Sequence, residues 1–566
     1  MTDTTQHPDT ADTAARRAPS RLDMLAEAYV HDLAKLCPTA ASAWGIDGYE
    51  TELEDYSPEF YAAVADRNRA MLADIDELVA AAAEDPAISF DAVDQVTAAV
   101  MRDRIGLDVE LYEAGEDLRC LNVLASSVQS IRDVFSFMPN DTAEDKATII
   151  ARLGQVPQAL AGYQRSLEAA KEQGLVAARR QVALVAEQCQ VVADPHGFFH
   201  DLQLGEDGKQ AVEAAARAFG ALGEYLTESL LPHAPADDAV GEERYRRFLR
   251  RYVGFPVDPY EAHTWAKQRL ADIVAQQTAI AETLYGAGTD VEEAMRRLNE
   301  DPNYRLEGTT ALQEWMQTVA DQAVADLRDK HFTIPEAVTT IECMIDPAGT
   351  GGIFYTGPSD DFSRPGRMWW SVPPGETVFH TWQELTTVYH EGVPGHHLQC
   401  GQAVCERDNL NLWRRVACWN SGHGEGWALY AETLMAELGY HDDPATMMGV
   451  LDAARLRAAR VVLDTGVHLR LATDEGGVWD YDYAWKFLRE NVAMSEANLR
   501  FELHRYLGWP GQAPSYALGE QLWHKLREEA VAAGMDQRTF HSVALAEGSI
   551  PMGILRDVVL AAAAKH

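Results

Sequence analysis

Residues 21–36 read RLDMLAEAYVHDLAKL, from Arg21 to Leu36. Leu25, Ala28, Tyr29, Leu33 and Leu36 recur mostly at steps of three and four, which gathers them on one face of a helix. The same period runs through Leu72–Ala83, Val96–Tyr112, Ala143–Glu172, Ala211–Leu231, Pro259–Tyr285 and Leu312–Leu327. Turn signals separate these stretches, among them Asp85-Pro86, Pro139-Asn140, Gly174 and Asp194-Pro195-His196-Gly197. Abundant alanine and leucine add helix propensity. The expected fold is mainly α.

The composition shifts at about residue 333. Ile341–Ile345 is short, apolar and partly β-branched, and Gly349–Tyr355, Arg364-Pro365-Gly366 and Met368–Val372 read as short strands or extended loops. Helices resume at about Thr381 and continue to the end. The expected organisation is a disordered tail over 1–20, a helical region over 21–332 forming one side of a deep cleft, and a region over 333–566 with short strands and then helices. The last two make one continuous body. The extended patch either pairs with a peptide through its edge or only covers the core.

The chain has 566 residues, 47% of them apolar, enough for a large core. Its 88 acidic and 48 basic residues give a net charge of −40, which repels nucleic acid and anionic membranes and excludes both as partners. Self-association as a homodimer is compatible with the composition. The seven cysteines are scattered, odd in number and lack a CxxC pair, which fits reduced thiols in the cytoplasm. Residues 1–20 are polar and lack the apolar core of a signal peptide. No stretch approaches the ~18 uninterrupted apolar residues of a membrane span. A cytoplasmic location is expected.

The chemistry centres on His390-Glu391-Gly392-Val393-Pro394-Gly395-His396-His397-Leu398-Gln399. Peptidases with the HExxH motif set two histidines one helical turn apart on a zinc ion, with the intervening glutamate as general base. Here the position four after His390 is Pro394, which cannot bind metal, and the next histidines come six and seven residues on. Six residues of ideal helix turn about 600°, and seven turn about 700° with about 10.5 Å of rise, so neither spacing suits one ion in a straight helix. Pro394 and Gly395 permit a break that returns His396 towards His390. The spacing leaves both His396 and His397 open as ligands.

A third ligand is available in Ser421-Gly422-His423-Gly424-Glu425-Gly426-Trp427-Ala428-Leu429-Tyr430-Ala431-Glu432. Glu425 either completes a His-His-Glu set with an open fourth position or is a charge favoured near a helix N-terminus. Cys400, Cys405 and Cys418 also flank the site, but a cysteine-rich set would be structural rather than catalytic.

HEGVPGHHLQ followed by EGWALYAE resembles the signature of the domain-of-unknown-function family 885, itself similar in fold to the Taq-type zinc metallocarboxypeptidases. The resemblance covers roughly residues 20–560, and its specific motifs lie between 340 and 520. It implies zinc as cofactor, a Glu-x6-Glu pair at Glu425 and Glu432 whose first member binds metal, and a Gly-His-x-Leu match at Gly395–Leu398 that selects His396 over His397. The two residues inserted before Gly395 depart from the Taq-type pattern.

Further blocks match the family. They offer His468, Tyr506 and Tyr516 as donors to an oxyanion, Arg505 as a bidentate clamp on a substrate carboxylate, and Arg364 as part of the cleft wall contacting substrate. The expected activity is zinc-dependent peptide hydrolysis of carboxypeptidase type, with His390, His396 and Glu425 on the metal and Glu391 as base. The alternatives are a zinc hydrolase on a small non-peptide amide, and a helical binding protein that has lost catalysis.

Overall fold

The computed structural model describes residues 17–346, 352–373 and 375–565. It is mainly α, as the periodicity requires. The helix Pro259–Tyr285 has the bounds read from the sequence, and its start is fixed by Asp258, whose side chain accepts from the amides of Tyr260 and Glu261. The expected continuous stretch Ala143–Glu172 is instead two helices, Ala143–Leu153 and Val156–Glu172. Pro157 sits at the start of the second, where its missing amide donor and its restraint on the preceding residue favour a new helix over continuation.

Residues 1–16 of the expected tail lie outside the described residues, but 17–20 are ordered. Arg17 pairs with Asp23 at 2.5 Å and with Asp91 and Asp94 at 2.7 Å each. Ser20 and Asp23 form a capping box on the helix Arg21–Leu36, so the tail expected over 1–20 is too long by these four residues.

Three large cores hold the chain together. Leu22, Met71 and Val100 from the N-terminal helices share one core with Trp427, Trp523 and Val559. The line at 332/333 therefore does not divide two hydrophobic cores. A second core lies within residues 56–234, centred on Phe135, Tyr163, Phe199 and Phe219. A third joins the helix Glu242–Val253 to the ends of the helices Pro444–His468 and Glu496–Gly508. Truncating a fully buried tryptophan such as Trp427 in the first core costs about 3–5 kcal/mol.

The strands sit where the composition shifts. β2 (Ile341–Asp346), β3 (Ile353–Thr356) and β4 (Gly366–Ser371) form a sheet in the order β2-β4-β3, with β2 parallel and β3 antiparallel to β4. Residues 349–351 of the expected extended patch lie outside the described residues. A second pair, β1 (Arg305–Glu307) with β5 (Val378–His380), leads into the helix Thr381–Glu391. No helix among the described residues is long and apolar enough to cross a membrane.

Candidate metal centre

The helix Thr381–Glu391 carries His390 and Glu391 at its end, and a new helix, His396–Cys405, begins four residues later. Residues 392–395 form the break expected from Pro394 and Gly395. The chain turns back so tightly that a Cβ on Gly395 would lie 1.9 Å from the His390 carbonyl oxygen. Trp427, fully buried on the facing helix Ser421–Glu437, donates its indole N–H to the Pro394 carbonyl at 2.8 Å. The break thus reverses the spacing problem, and the His390 and His396 rings lie 5.0 Å apart, nearly perpendicular.

Glu425 completes the set. Its Oε2 lies 3.7 Å from His390 Nε2 and 3.6 Å from His396 Nε2, and all three donor atoms fall within 4.8 Å of one another. Two ligands of a tetrahedral zinc with bonds of 2.0–2.1 Å stand about 3.3 Å apart, so the residues fit that ion with small adjustment. Glu425 is the fifth residue of its helix, beyond the first turn where a macrodipole effect is concentrated.

Each histidine is oriented from its far side. His390 Nδ1 is bonded to Glu432 Oε1 at 2.7 Å, and Thr386 donates to the other Glu432 oxygen at 2.6 Å. His396 Nδ1 is 3.3 Å from Gln399 Oε1, and Gln399 Nε2 is 2.8 Å from His423 Nδ1. Both Nε2 atoms face the Glu425 carboxylate instead. Burial opposes a charge on His390, but Glu425 and Glu432 outweigh it and push the imidazole up to about 10. Burial alone would raise the Glu425 carboxyl, yet the two imidazoles hold it well below the usual carboxylate range.

Glu391 is buried beside the triad with Oε2 free of any hydrogen-bond partner, and burial raises its carboxyl above the ordinary value. Tyr516 is brought close by glycines. A Cβ on Gly426 would meet the Gly519 backbone at 2.5 Å, so the helices Ser421–Glu437 and Ser515–Ala532 touch main chain to main chain. Burial raises the Tyr516 hydroxyl above its ordinary value, and the nearby Glu425 carboxylate raises it further, so it remains a proton donor.

Other expected site residues are engaged elsewhere. His397, the alternative ligand, has both ring nitrogens occupied, by the Tyr355 hydroxyl and the Val338 carbonyl at 2.9 Å each. His468 is fully buried, donates Nε2–H to the Tyr506 carbonyl at 3.0 Å and stacks on Tyr245. Tyr506 gives its hydroxyl proton to Glu502 and accepts from Arg460 Nε at 2.9 Å, which leaves no free donor for an oxyanion. Arg505 bonds Gln512 at 2.7 Å and Glu502 at 3.4 Å, but its guanidinium lies over the Tyr516 ring and its Nε has no partner. Arg364 bonds the carbonyls of Gly357 and Pro365, bracing its own loop.

That loop borders a cavity of about 1490 Å³, lined among others by Trp44, Phe137, Arg364, Gln399, Cys400 and Trp419. Gln399 holds His396, and the Trp419 ring lies 6.3 Å from the His396 ring, so the cavity adjoins the triad. The contributions of Gln399, His423 and Tyr355 escape a reading of the sequence. Only the three-residue step from His396 to Gln399, one helical turn, hints at the first.

Residues 38–559 match the family described as "Bacterial protein of unknown function (DUF885)". The chain belongs to DUF885. Two solved structures share the fold of this DUF885 chain. One, from Colwellia psychrerythraea and described as a "putative lipoprotein", is 24% identical with a TM-score of 0.79, covering 97% of this chain and 100% of that one. The other, from Shewanella oneidensis and described as "a putative lipoprotein of unknown function", is 16% identical with a TM-score of 0.70, covering 96% and 100%. No curated protein matches the DUF885 chain.

Proposed function

We propose that this chain is a zinc-dependent peptidase of carboxypeptidase type, similar in its site to the Taq-type enzymes. The observation that carries the reading is the convergence of His390 Nε2, His396 Nε2 and Glu425 Oε2 next to a buried, unpartnered Glu391 oxygen. Zinc would supply Lewis acidity, polarising the scissile carbonyl and making water easier to deprotonate. Glu391 takes the proton of the attacking water and passes it to the leaving amine, the role its position and raised carboxyl suit. Tyr516 donates its hydroxyl to the developing oxyanion. A decayed binding protein has no use for an acid kept beside the first histidine at the cost of its burial.

A peptide substrate is favoured over a small amide by the sheet. β3 is an edge strand, paired with β4 alone among the described residues, and its Tyr355 ring lies 6.5 Å from the His396 ring. A peptide extending that edge would add a strand to the sheet. Arg505, beside Tyr516, is the group for a terminal carboxylate. The cysteines, all unpaired, support a reducing cytoplasmic setting over an oxidising one. Elemental analysis of protein purified without chelator tests the reading: about one zinc per chain, lost when His390 and His396 are replaced, is expected. No divalent metal after zinc reconstitution would overturn it.

A further inference from the structure

Trp419 is 50% exposed, although it stands beside the triad. It lines the cavity, and its ring lies 6.3 Å from the His396 ring, tilted by 49°. Both of its chain neighbours are tied to Ser549. The Cys418 thiol donates to the Ser549 carbonyl at 3.4 Å, and the Asn420 amide donates to the Ser549 hydroxyl at 3.0 Å. Asn420 is fully buried and caps the helix Ser421–Glu437. The backbone on either side of the indole is therefore pinned, while half of the side chain stays open.

The neighbouring helix is cut away to receive the ring. A Cβ on Gly424 would come within 2.3 Å of the Trp419 indole, so a larger residue there would displace it. Two residues on, a Cβ on Gly426 would meet the Gly519 backbone at 2.5 Å, on the helix that carries Tyr516. Successive helical residues project about 100° apart. Gly424, Glu425 and Gly426 thus face three directions, and the Glu425 carboxylate emerges between Trp419 on one side and the Tyr516 helix on the other. Arg505 belongs to the second side, where its guanidinium lies over the Tyr516 ring. Neither Arg505 nor Tyr516 is among the described residues that line the cavity.

A peptide whose terminal carboxylate pairs with Arg505 and whose scissile carbonyl reaches the triad has its last residue on the Tyr516 side. The residue before the bond then lies on the Trp419 side. We propose that Trp419 is a specificity-determining residue: its open indole receives the side chain that precedes the scissile bond and selects large apolar and aromatic side chains there. The inference rests on the peptidase reading above. An aromatic side chain laid against the indole removes apolar surface of both from water and adds a ring–ring contact. An alanine methyl group covers little of that surface.

The test uses the full zinc-loaded chain and two peptides, N-acetyl-Ala-Ala-Phe-Ala and N-acetyl-Ala-Ala-Ala-Ala, with initial release of the last alanine followed by mass spectrometry. Wild type should favour the first peptide about 10–100-fold in kcat/KM. Trp419→Ala should compress that ratio to about 3-fold or less, and Trp419→Phe, which keeps a ring, should retain most of it. A purely structural role for Trp419 would slow both peptides alike and leave the ratio as it was. The wild-type ratio needs no variant, and a value near one would overturn the subsite by itself. An unchanged ratio in Trp419→Ala would also overturn it, while the peptidase reading stands. A wild-type chain that releases alanine from neither peptide at full zinc occupancy would overturn the peptidase reading and the subsite with it.

Discussion

The Glu432 carboxylate is bonded to His390 Nδ1 at 2.7 Å, while Glu425, seven residues earlier on the same helix, approaches the ring's other nitrogen. Seven residues are two helical turns, about 10.5 Å, so the imidazole bridges two carboxylates that project from one face. On the proposed reading Glu425 holds the ion and Glu432 orients the ring. Glu432→Gln replaces the obligate acceptor with an amide and should weaken zinc binding about 10–100-fold. Chelator competition measures it, and wild-type affinity in the variant would remove Glu432 from this role.

Glu391→Gln should leave zinc content unchanged and lower turnover about 10²–10⁴-fold, because an amide cannot accept the water's proton. Rates on one peptide at equal metal occupancy decide the matter. Equal rates would exclude Glu391 as the base.

Arg505 predicts the polarity of cleavage. Amidation of a peptide's C-terminus should slow the wild-type chain strongly and Arg505→Ala much less, since only the wild-type chain has a guanidinium whose pairing with the carboxylate is lost. Mass spectrometry of the products is the measurement. Internal cleavage of both peptides at equal rates would make the chain an endopeptidase and confine Arg505 to bracing Gln512 and Glu502.

Asp464 predicts a dependence of stability on pH. It is fully buried, accepts from the Tyr245 hydroxyl at 2.7 Å and the Gly511 amide at 3.0 Å, and its Oδ2 has no partner. Burial pushes its carboxyl up to about 7. A folded value above the unfolded one, about 3.9, gives stability that is fully present below about pH 4 and lost as pH rises through about 7. Asp464→Asn cannot ionise, so its stability relative to wild type should increase over that interval by a few kcal/mol and level off above it. Urea midpoints from pH 4 to 8 check this; a constant difference across the range would contradict it.

The sequence exposes regular elements more readily than their junctions. Pro259–Tyr285 is legible because an aspartate cap, a proline and a terminal glycine mark both ends of a periodic run. The strands β1 and β5 are three residues each, too short for alternation to register. At the site, Pro394 and Gly395 signal a break but not its direction, which depends on Trp427, thirty-odd residues away, gripping the Pro394 carbonyl. The motif's adjacent histidines look equivalent in one dimension; Tyr355 and Val338, from the strand region, separate them by occupying His397. His468 and Tyr506 match a pattern yet face inward, because the Arg460–Glu502 ion pair needs Tyr506 as a partner in a dry interior.

The cavity beside His396 is large for the groups that border it. At about 1490 Å³ it exceeds the ~300–1,000 Å³ that house a single small ligand. Trp44, Phe137, Gln399 and Trp419 are among the residues that line it, and Gln399 also holds His396. On the proposed peptidase reading, a space of this size would hold several residues of an extended peptide at once.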